Sequence, residues 1–399
     1  MGRIAYVLNG RVPSENGHVI QAVRMCEGFA AADHTVTLYY PDRHQVDDDL
    51  VGVDAADFFD TSEQVELRSL PYLDFDRWYG RMDERIHGPL VTASHAAFAG
   101  MAAIRLAVAD VGLCLTREWP IAYALVKLGV PTVFEIHKTE GVAFSSRGQR
   151  AVASIADDPA LRTVVTLTDP AATGLADLGI PESKIHVEPD AVRLGPYEST
   201  PDRDELSVRL GYPDDGFVVG YTGSLHEGKG VYELVEACRT LDNVHLFLVG
   251  GSDAEQGQMR SYLDEHRIEN VRLVGRVAPT EVSKYQVAAD LLALPPTAEG
   301  DDTKHHPEAT SPLKLFEYMA AGRPIVATAL PGITDVLTDE RNALVVPPGD
   351  SGALRDAIRR LTTDNQLAAD LGSVAASDVR EYTWERRASR IAERAGLGT

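Results

Sequence analysis

The chain is poor in cysteine, in positive charge and in long apolar runs, and each shortage removes a class of protein. Its three cysteines, Cys26, Cys114 and Cys238, are odd in number and far apart, which excludes a disulfide framework and predicts reduced thiols. Only 38 Lys plus Arg stand against 60 Asp plus Glu, and the formal charge of −22 repels nucleic acid over long range, so no nucleic-acid partner is expected. The most apolar stretch, residues 93–109, carries His95 and Arg105; it is too short and too interrupted for a bilayer span and reads as a buried alanine-rich helix. No secretory leader precedes Ile4, so a cytoplasmic protein is expected, with at most weak peripheral membrane contact. Low-complexity tracts and short-period repeats are also lacking. A length of 399 residues exceeds what one core supports and predicts two domains.

What the sequence does contain is a regular alternation. Strand-length apolar runs at residues 4–8, 36–40, 112–115, 132–136 and 163–167 are separated by helical patterns, the first over residues 19–31, while residues 42–76 read as a variable acidic stretch. Pro189, Pro196 and Pro201 mark a linker. Beyond it the alternation resumes, with strands at residues 217–221, 245–249, 271–274, 291–294, 324–327 and 343–346. An α/β protein with two doubly wound parallel sheets follows, its ligands beyond the carboxyl ends of the strands. The expected division is residues 1–195, residues 196–380 and a final arginine-rich helix in residues 381–399 able to pack back on the first domain.

Two segments of the second half carry chemistry. Residues 223–230 read Gly-Ser-Leu-His-Glu-Gly-Lys-Gly after the first strand of that half; the glycines, Gly223 beside Ser224 among them, let the backbone approach a ligand closely, and Lys229 is a compact cation suited to phosphate. Residues 311–324 open a helix abruptly at Ser311 and Leu313, where unpaired amides attract anions and Pro312 suits the first helical position, followed by Lys314 and Glu317. Both turns fall at the carboxyl edge of one sheet, so Lys229, Lys314 and the amides near Leu313 are expected to converge on a nucleotide diphosphate. Glu317, deeper in its helix, suits the vicinal hydroxyls of a ribose.

In these segments the chain resembles the retaining, nucleotide-sugar-dependent transferases of glycosyltransferase family 4, which have the GT-B fold of two facing Rossmann-like domains around a cleft. The resemblance rests on residues 220–230, 248–251, 274–277, 311–328 and 344–350, and in the first half on residues 13–18 and 134–137. It implies a sugar moved from a nucleoside diphosphate sugar to a sugar or lipid-linked acceptor, without metal or other cofactor. Lys229 would neutralise the diphosphate, Gly275, Arg276 and Val277 would contact the base, and Glu317 would hold the ribose. His137 would approach the transferred sugar, its carbonyl near the anomeric centre, and Glu15, Asn16 and Gly17 would lie on the acceptor side.

The match is incomplete at two places. The family usually has two glutamates eight residues apart, yet Ala309 stands where the first belongs, with Glu308 one place off; amides near Thr310, or Glu308 after a loop adjustment, are the substitutes. Serine stands at 224 where the family often has arginine, leaving Lys314 or Arg276 to assist Lys229. Other readings stay open. Asp301, Asp302, His305, His306 and Glu308 form a solvated loop or a metal cluster, and Arg77, Arg81 and Arg85 a solvated helix face or a headgroup contact. Glu15 and Asn16 equally suit a helix cap. An epimerase using His137, Glu135 and Glu140, and a nucleotide-binding protein without turnover, are the competing functions. A dehydrogenase is discounted, since residues 9–17 lack the dinucleotide fingerprint.

Overall fold

The computed structural model describes residues 2–14, 16–46, 50–75, 83–137, 145–213, 216–297 and 313–397. The chain forms two compact units, one made of Met1–Glu188 with Trp384–Thr399 and the other of Pro189–Thr383. In the first unit seven strands, β1 (Arg3–Val7), β2 (Thr35–Pro41), β3 (Val65–Leu70), β4 (Leu113–Thr116), β5 (Thr132–Glu135), β6 (Leu161–Thr166) and β7 (Ile185–Val187), lie in the order β3-β2-β1-β4-β5-β6-β7. The second unit has β8 (Phe217–Thr222), β9 (Val244–Val249), β10 (Val271–Gly275), β11 (Leu291–Leu294), β12 (Ile325–Thr328) and β13 (Leu344–Val346), ordered β10-β9-β8-β11-β12-β13. Neighbours in both sheets pair parallel. Strand order therefore reverses between β1 and β4 in one unit and between β8 and β11 in the other, and in such sheets ligands enter beside that reversal, at the carboxyl ends.

Central strands are apolar because helices cover both sheet faces. Every residue of β4, β5, β11 and β12 is buried. Alternation along β8 feeds two cores, Val219 and Tyr221 entering one and Val218 the other. The two strands that sequence reasoning missed, β3 and β7, are both edge strands. Within β3 only Val65 and Leu70 are buried, and β7 has three half-buried residues, so neither carries the apolar signal of an inner strand.

The alanine-rich helix also departs from expectation. It runs over Glu84–Ala107, 24 residues, so length does not prevent a span, and Arg85–Ala107 is apolar enough to cross a membrane by length and composition. Only one face is buried: Phe98, Ala99, Ala102, Ala103 and Leu106 recur at helical spacing and pack with Ala5 and Val7 of β1, whereas Ile104 and Val108 are exposed. That pattern is of a helix laid on a sheet.

The last helix, Trp384–Arg394, belongs to the first unit and packs on the helix Gly17–Ala31. Contact is closest at Gly28, where a Cβ would overlap the backbone carbonyl of Trp384, so only glycine fits. Gly28→Ala should therefore destabilise the protein by about 1–3 kcal/mol, the usual cost of overpacking. Chemical denaturation followed by circular dichroism measures this, and an unchanged midpoint would show that the helix docks elsewhere.

Candidate functional site

In the second unit, three glycines bring loops together at the carboxyl ends of β8, β9 and β11. Gly223 follows β8 with φ 133°, and a Cβ there would overlap Lys314 Nζ. Gly250 follows β9 with φ 115°, and a Cβ there would overlap the Gly223 carbonyl. Gly230, at φ 67°, opens the helix Val231–Cys238 against the carbonyl of Pro295, just past β11. Gly275, ending β10, joins the same edge by accepting a 2.7 Å hydrogen bond from the Gly250 amide. Arg276 and Val277 follow it there, Arg276 exposed.

Lys314 lies in the first turn of the helix Leu313–Ala320. Its ammonium donates to the Tyr221 hydroxyl at 3.2 Å and sits 4.3 Å above that ring's centre. Tyr221 in turn donates to the Ser224 carbonyl at 2.7 Å, tying strand, turn and helix to one another. Burial, with the charge of Lys229 adding to it and Glu317 opposing it, pulls the Lys314 pKa down to about 7. Lys229 closes the short turn Glu227–Lys229. The charge of Lys229 is thus felt at the Lys314 ammonium, which sits at the carboxyl end of β8.

Glu317 follows Lys314 on the same helix, and its position depends on a residue that sequence reasoning missed. Fully buried Gln286 donates to Glu317 Oε2 at 3.1 Å and to Thr222 Oγ1 at 3.0 Å, while its carbonyl accepts from the Tyr197 hydroxyl at 2.7 Å. Tyr318 accepts the Thr222 amide at 2.8 Å, which fixes the helix to the end of β8. Gln286 occupies the helix Val282–Ala288, whose pattern gave no cue beyond one amide in an apolar segment. An open cavity of about 1040 Å³ borders the Glu227–Lys229 turn; its lining residues Glu227, Glu233 and Glu265 disfavour a diphosphate there.

The first unit has its own polar cluster at the carboxyl ends of β4 and β5. Glu135, the last residue of β5, accepts from His137 Nε2 at 2.6 Å, from Gln21 Nε2 at 3.1 Å and from Arg387 at 2.9 Å. Arg117, just past β4, donates to His137 Nδ1 at 2.6 Å and also to Gln21 Oε1. A guanidinium only donates, so Nδ1 carries no proton and Nε2–H faces the carboxylate. Burial and the charge of Arg117, opposed by Glu135, together lower the His137 pKa to about 4. For Glu135 burial works upward, but Arg387, His137 and Arg117 together hold it well below the ordinary carboxylate range. His137 is thus a neutral imidazole with both nitrogens engaged. Arg117, Gln21 and Arg387 were not anticipated; an arginine directly after an all-buried strand was the available cue for the first.

Asn16 precedes the helix that starts at Gly17 without a side-chain capping bond; both are exposed. Glu15, Thr310, Ser311 and Pro312 lie outside the described residues, as do Glu140, Ala309, Arg77, Arg81 and the acidic and histidine cluster of residues 301–308.

Two doubly wound units built this way define a GT-B protein. Across 99% of this chain and 100% of the other, it superposes on HepE of Anabaena in complex with UDP-glucose with a TM-score of 0.72 at 17% identity. Sucrose-phosphate synthase of Thermosynechococcus elongatus gives 0.72 at 21% identity over 98% of both chains. Residues 216–364 match the family model described as Glycosyl transferases group 1. Among curated relatives, the phosphatidyl-myo-inositol mannosyltransferase of Mycobacterium leprae is 33% identical over 45% of this chain and 46% of its own length. The 2-deoxystreptamine glucosyltransferase of Streptomyces kanamyceticus is 27% identical over 61% and 64%. The chain thus spans between about half and two thirds of these relatives.

The depressed Lys314 pKa gives a testable sign. In the unfolded chain the ammonium keeps its proton up to about pH 10.4, while the folded protein releases it near 7, so stability of the ligand-free protein rises with pH across that window. Lys314→Met should be more stable than the parent at pH 6, and its advantage should shrink toward pH 10. Denaturant midpoints measured at several pH values decide; a difference independent of pH would mean that Lys314 is not titrating.

Proposed function

We propose that the chain is a glycosyltransferase of the retaining, metal-independent kind, moving a sugar from a nucleoside diphosphate sugar to a hydroxyl of a sugar or lipid-linked acceptor. The observation that supports this reading most is the Lys314 ammonium held at the carboxyl end of β8 by Tyr221, where the charge of Lys229 also acts, with Glu317 next along the same helix. Two ammonium groups at the carboxyl edge suit a diphosphate; a carboxylate beyond them suits a ribose. Breaking the anomeric bond leaves negative charge on the departing diphosphate, and preorganised cations in a partly dry site stabilise that charge most as it develops. A bound diphosphate also relieves the repulsion that lowers the Lys314 pKa, so donor binding near neutral pH draws a proton from solvent.

The remaining roles follow from the family resemblance. Gly223, Ser224 and the amides of Thr310, Ser311 and Leu313 hold phosphate, with Pro312 setting the start of the helix; Gly275, Arg276 and Val277 meet the base. His137 contacts the transferred sugar, and Glu15, Asn16 and Gly17 the acceptor. The relatives' names, ranging from a phosphatidyl-myo-inositol mannosyltransferase to a 2-deoxystreptamine glucosyltransferase, support a sugar or lipid-linked acceptor. A cytoplasmic enzyme with weak peripheral membrane contact fits such a substrate. Epimerisation has less support, because an imidazole whose two nitrogens are both engaged is poorly placed to shuttle protons.

A thermal-shift screen of nucleoside diphosphates and their sugars tests the donor site, since a ligand of the native state raises the midpoint with log concentration above its dissociation constant. Stabilisation by one or more nucleoside diphosphate sugars is expected; none across the panel would refute the reading. With the donor identified, Lys229→Ala should lower kcat by a larger factor than it weakens donor binding, by about tenfold or more in kcat, because charge grows on the leaving group. Equal losses would assign Lys229 to ground-state binding alone.

Glu317→Ala should weaken binding of the ribonucleoside diphosphate about tenfold, the loss of a charge-assisted hydrogen bond, while affecting its 2′-deoxy counterpart less. Calorimetric titration with both nucleotides measures the difference, and identical losses would remove the ribose assignment.

A further inference from the structure

At the carboxyl edge of the first sheet, a run of buried polar groups ends on a cation. Arg387 is fully buried and pairs with Glu135 at 2.9 Å. Glu135 accepts from His137 at 2.6 Å, and the opposite nitrogen of that ring accepts from Arg117. The charges of Arg387 and Glu135 offset each other, and His137 is neutral. Arg117 keeps a whole positive charge, for its hydrogen-bond partners, Gln21 Oε1 and His137 Nδ1, are both uncharged. Among the described residues no carboxylate lies within ion-pair distance of it.

The nearest sequence neighbour of opposite sign is Glu118. Burial raises its pKa, and the charges of Arg117 and Arg43 oppose that rise; it forms no ion pair with Arg117 among the described residues. Because both arginines act on Glu118, they share one neighbourhood. Arg43 sits just past β2, bonded to Asn9 Oδ1 at 2.6 Å, to the Tyr72 hydroxyl at 3.1 Å and to His95 Nε2 at 3.1 Å. Arg117 itself is half-buried, directly after β4 and beside the strand reversal of this sheet. A guanidinium fixed in orientation by two neutral acceptors, with the rest of its planar fork unused, is matched to bidentate capture of an oxyanion. In a chain of charge −22, such a cation is not explained by general composition.

We propose that Arg117 binds an oxyanion carried by the acceptor, a phosphoryl or carboxylate group on a sugar or on a lipid headgroup. Gln21 and His137 aim the guanidinium, and the Arg387–Glu135 pair holds His137 in the tautomer that accepts from it. The word acceptor rests on the glycosyl-transfer reading; the oxyanion site does not.

The test is titration calorimetry on the full chain with glucose 6-phosphate, glucuronate and glucose, together with sedimentation against phosphatidylcholine vesicles with and without phosphatidylinositol. At least one charged probe should bind about tenfold or more tightly than its uncharged counterpart, the fold-change of one charge-assisted hydrogen bond. Which probe does so distinguishes soluble from lipid-borne oxyanions. Arg117→Met should abolish the preference and Arg117→Lys retain part of it, while Lys229→Ala, which acts on the other unit, should leave it intact. Equal binding of charged and uncharged probes, including no binding by any, would overturn the proposal, as would a preference that survives Arg117→Met or disappears in Lys229→Ala. Should Arg117→Met fail to fold, Arg117→Gln and Arg117→Lys make the same comparison. Nucleoside diphosphate sugars provide an independent readout: a failed donor screen with the oxyanion preference present would sink glycosyl transfer and leave the site.

Discussion

Burying one ammonium group beside another is unfavourable, and the site of the second unit follows from how that cost is met. Lys314 is held by a tyrosine ring and hydroxyl rather than by a carboxylate in direct contact, so its charge is only partly supported. Glu317 is nearby but is itself tied to Gln286. The arrangement favours an incoming anion over an internal ion pair. The positive-φ glycines at 223, 230 and 250 serve the same end by letting three loops approach without side chains between them.

The first unit treats buried charge differently. Arg387 and Glu135 are both almost fully excluded from solvent, yet each has several polar partners. Removing one partner of such a pair leaves an uncompensated charge inside the protein, which costs far more than the pair contributes. What the pair offers in return is definition: it fixes a tautomer, and through it the orientation of a partly exposed guanidinium. One unit thus keeps a repulsion, the other passes a charge balance outward to a single residue.

Much of this was legible in the sequence because parallel sheets demand continuous apolar strands. The inner strands announced themselves, and so did the glycine turn at 223–230 and the helix carrying Lys314 and Glu317, since loops after strands of one sheet collect at one edge. Edge strands β3 and β7 were hidden because a strand with one neighbour needs little apolar surface. The alanine-rich helix misled in the other direction, as its small side chains raise apolar content without requiring burial on every side. Gln286, Gln21 and Arg387 escaped notice for a different reason: each acts through a residue distant in sequence, and 252 positions separate Arg387 from Glu135. No local pattern encodes such a partnership.

The return of the Trp384–Arg394 helix to the first unit has a consequence for biosynthesis. As the polypeptide emerges from the ribosome, Met1–Glu188 appears first but cannot complete its interior until Pro189–Thr383 has been translated. During that interval the seat of Arg387 is empty and the carboxylate of Glu135 has lost its chief counter-charge. Maturation of the earlier unit is therefore tied to completion of the later one, and nascent chains stalled before Trp384 would be selectively defective in the part made first.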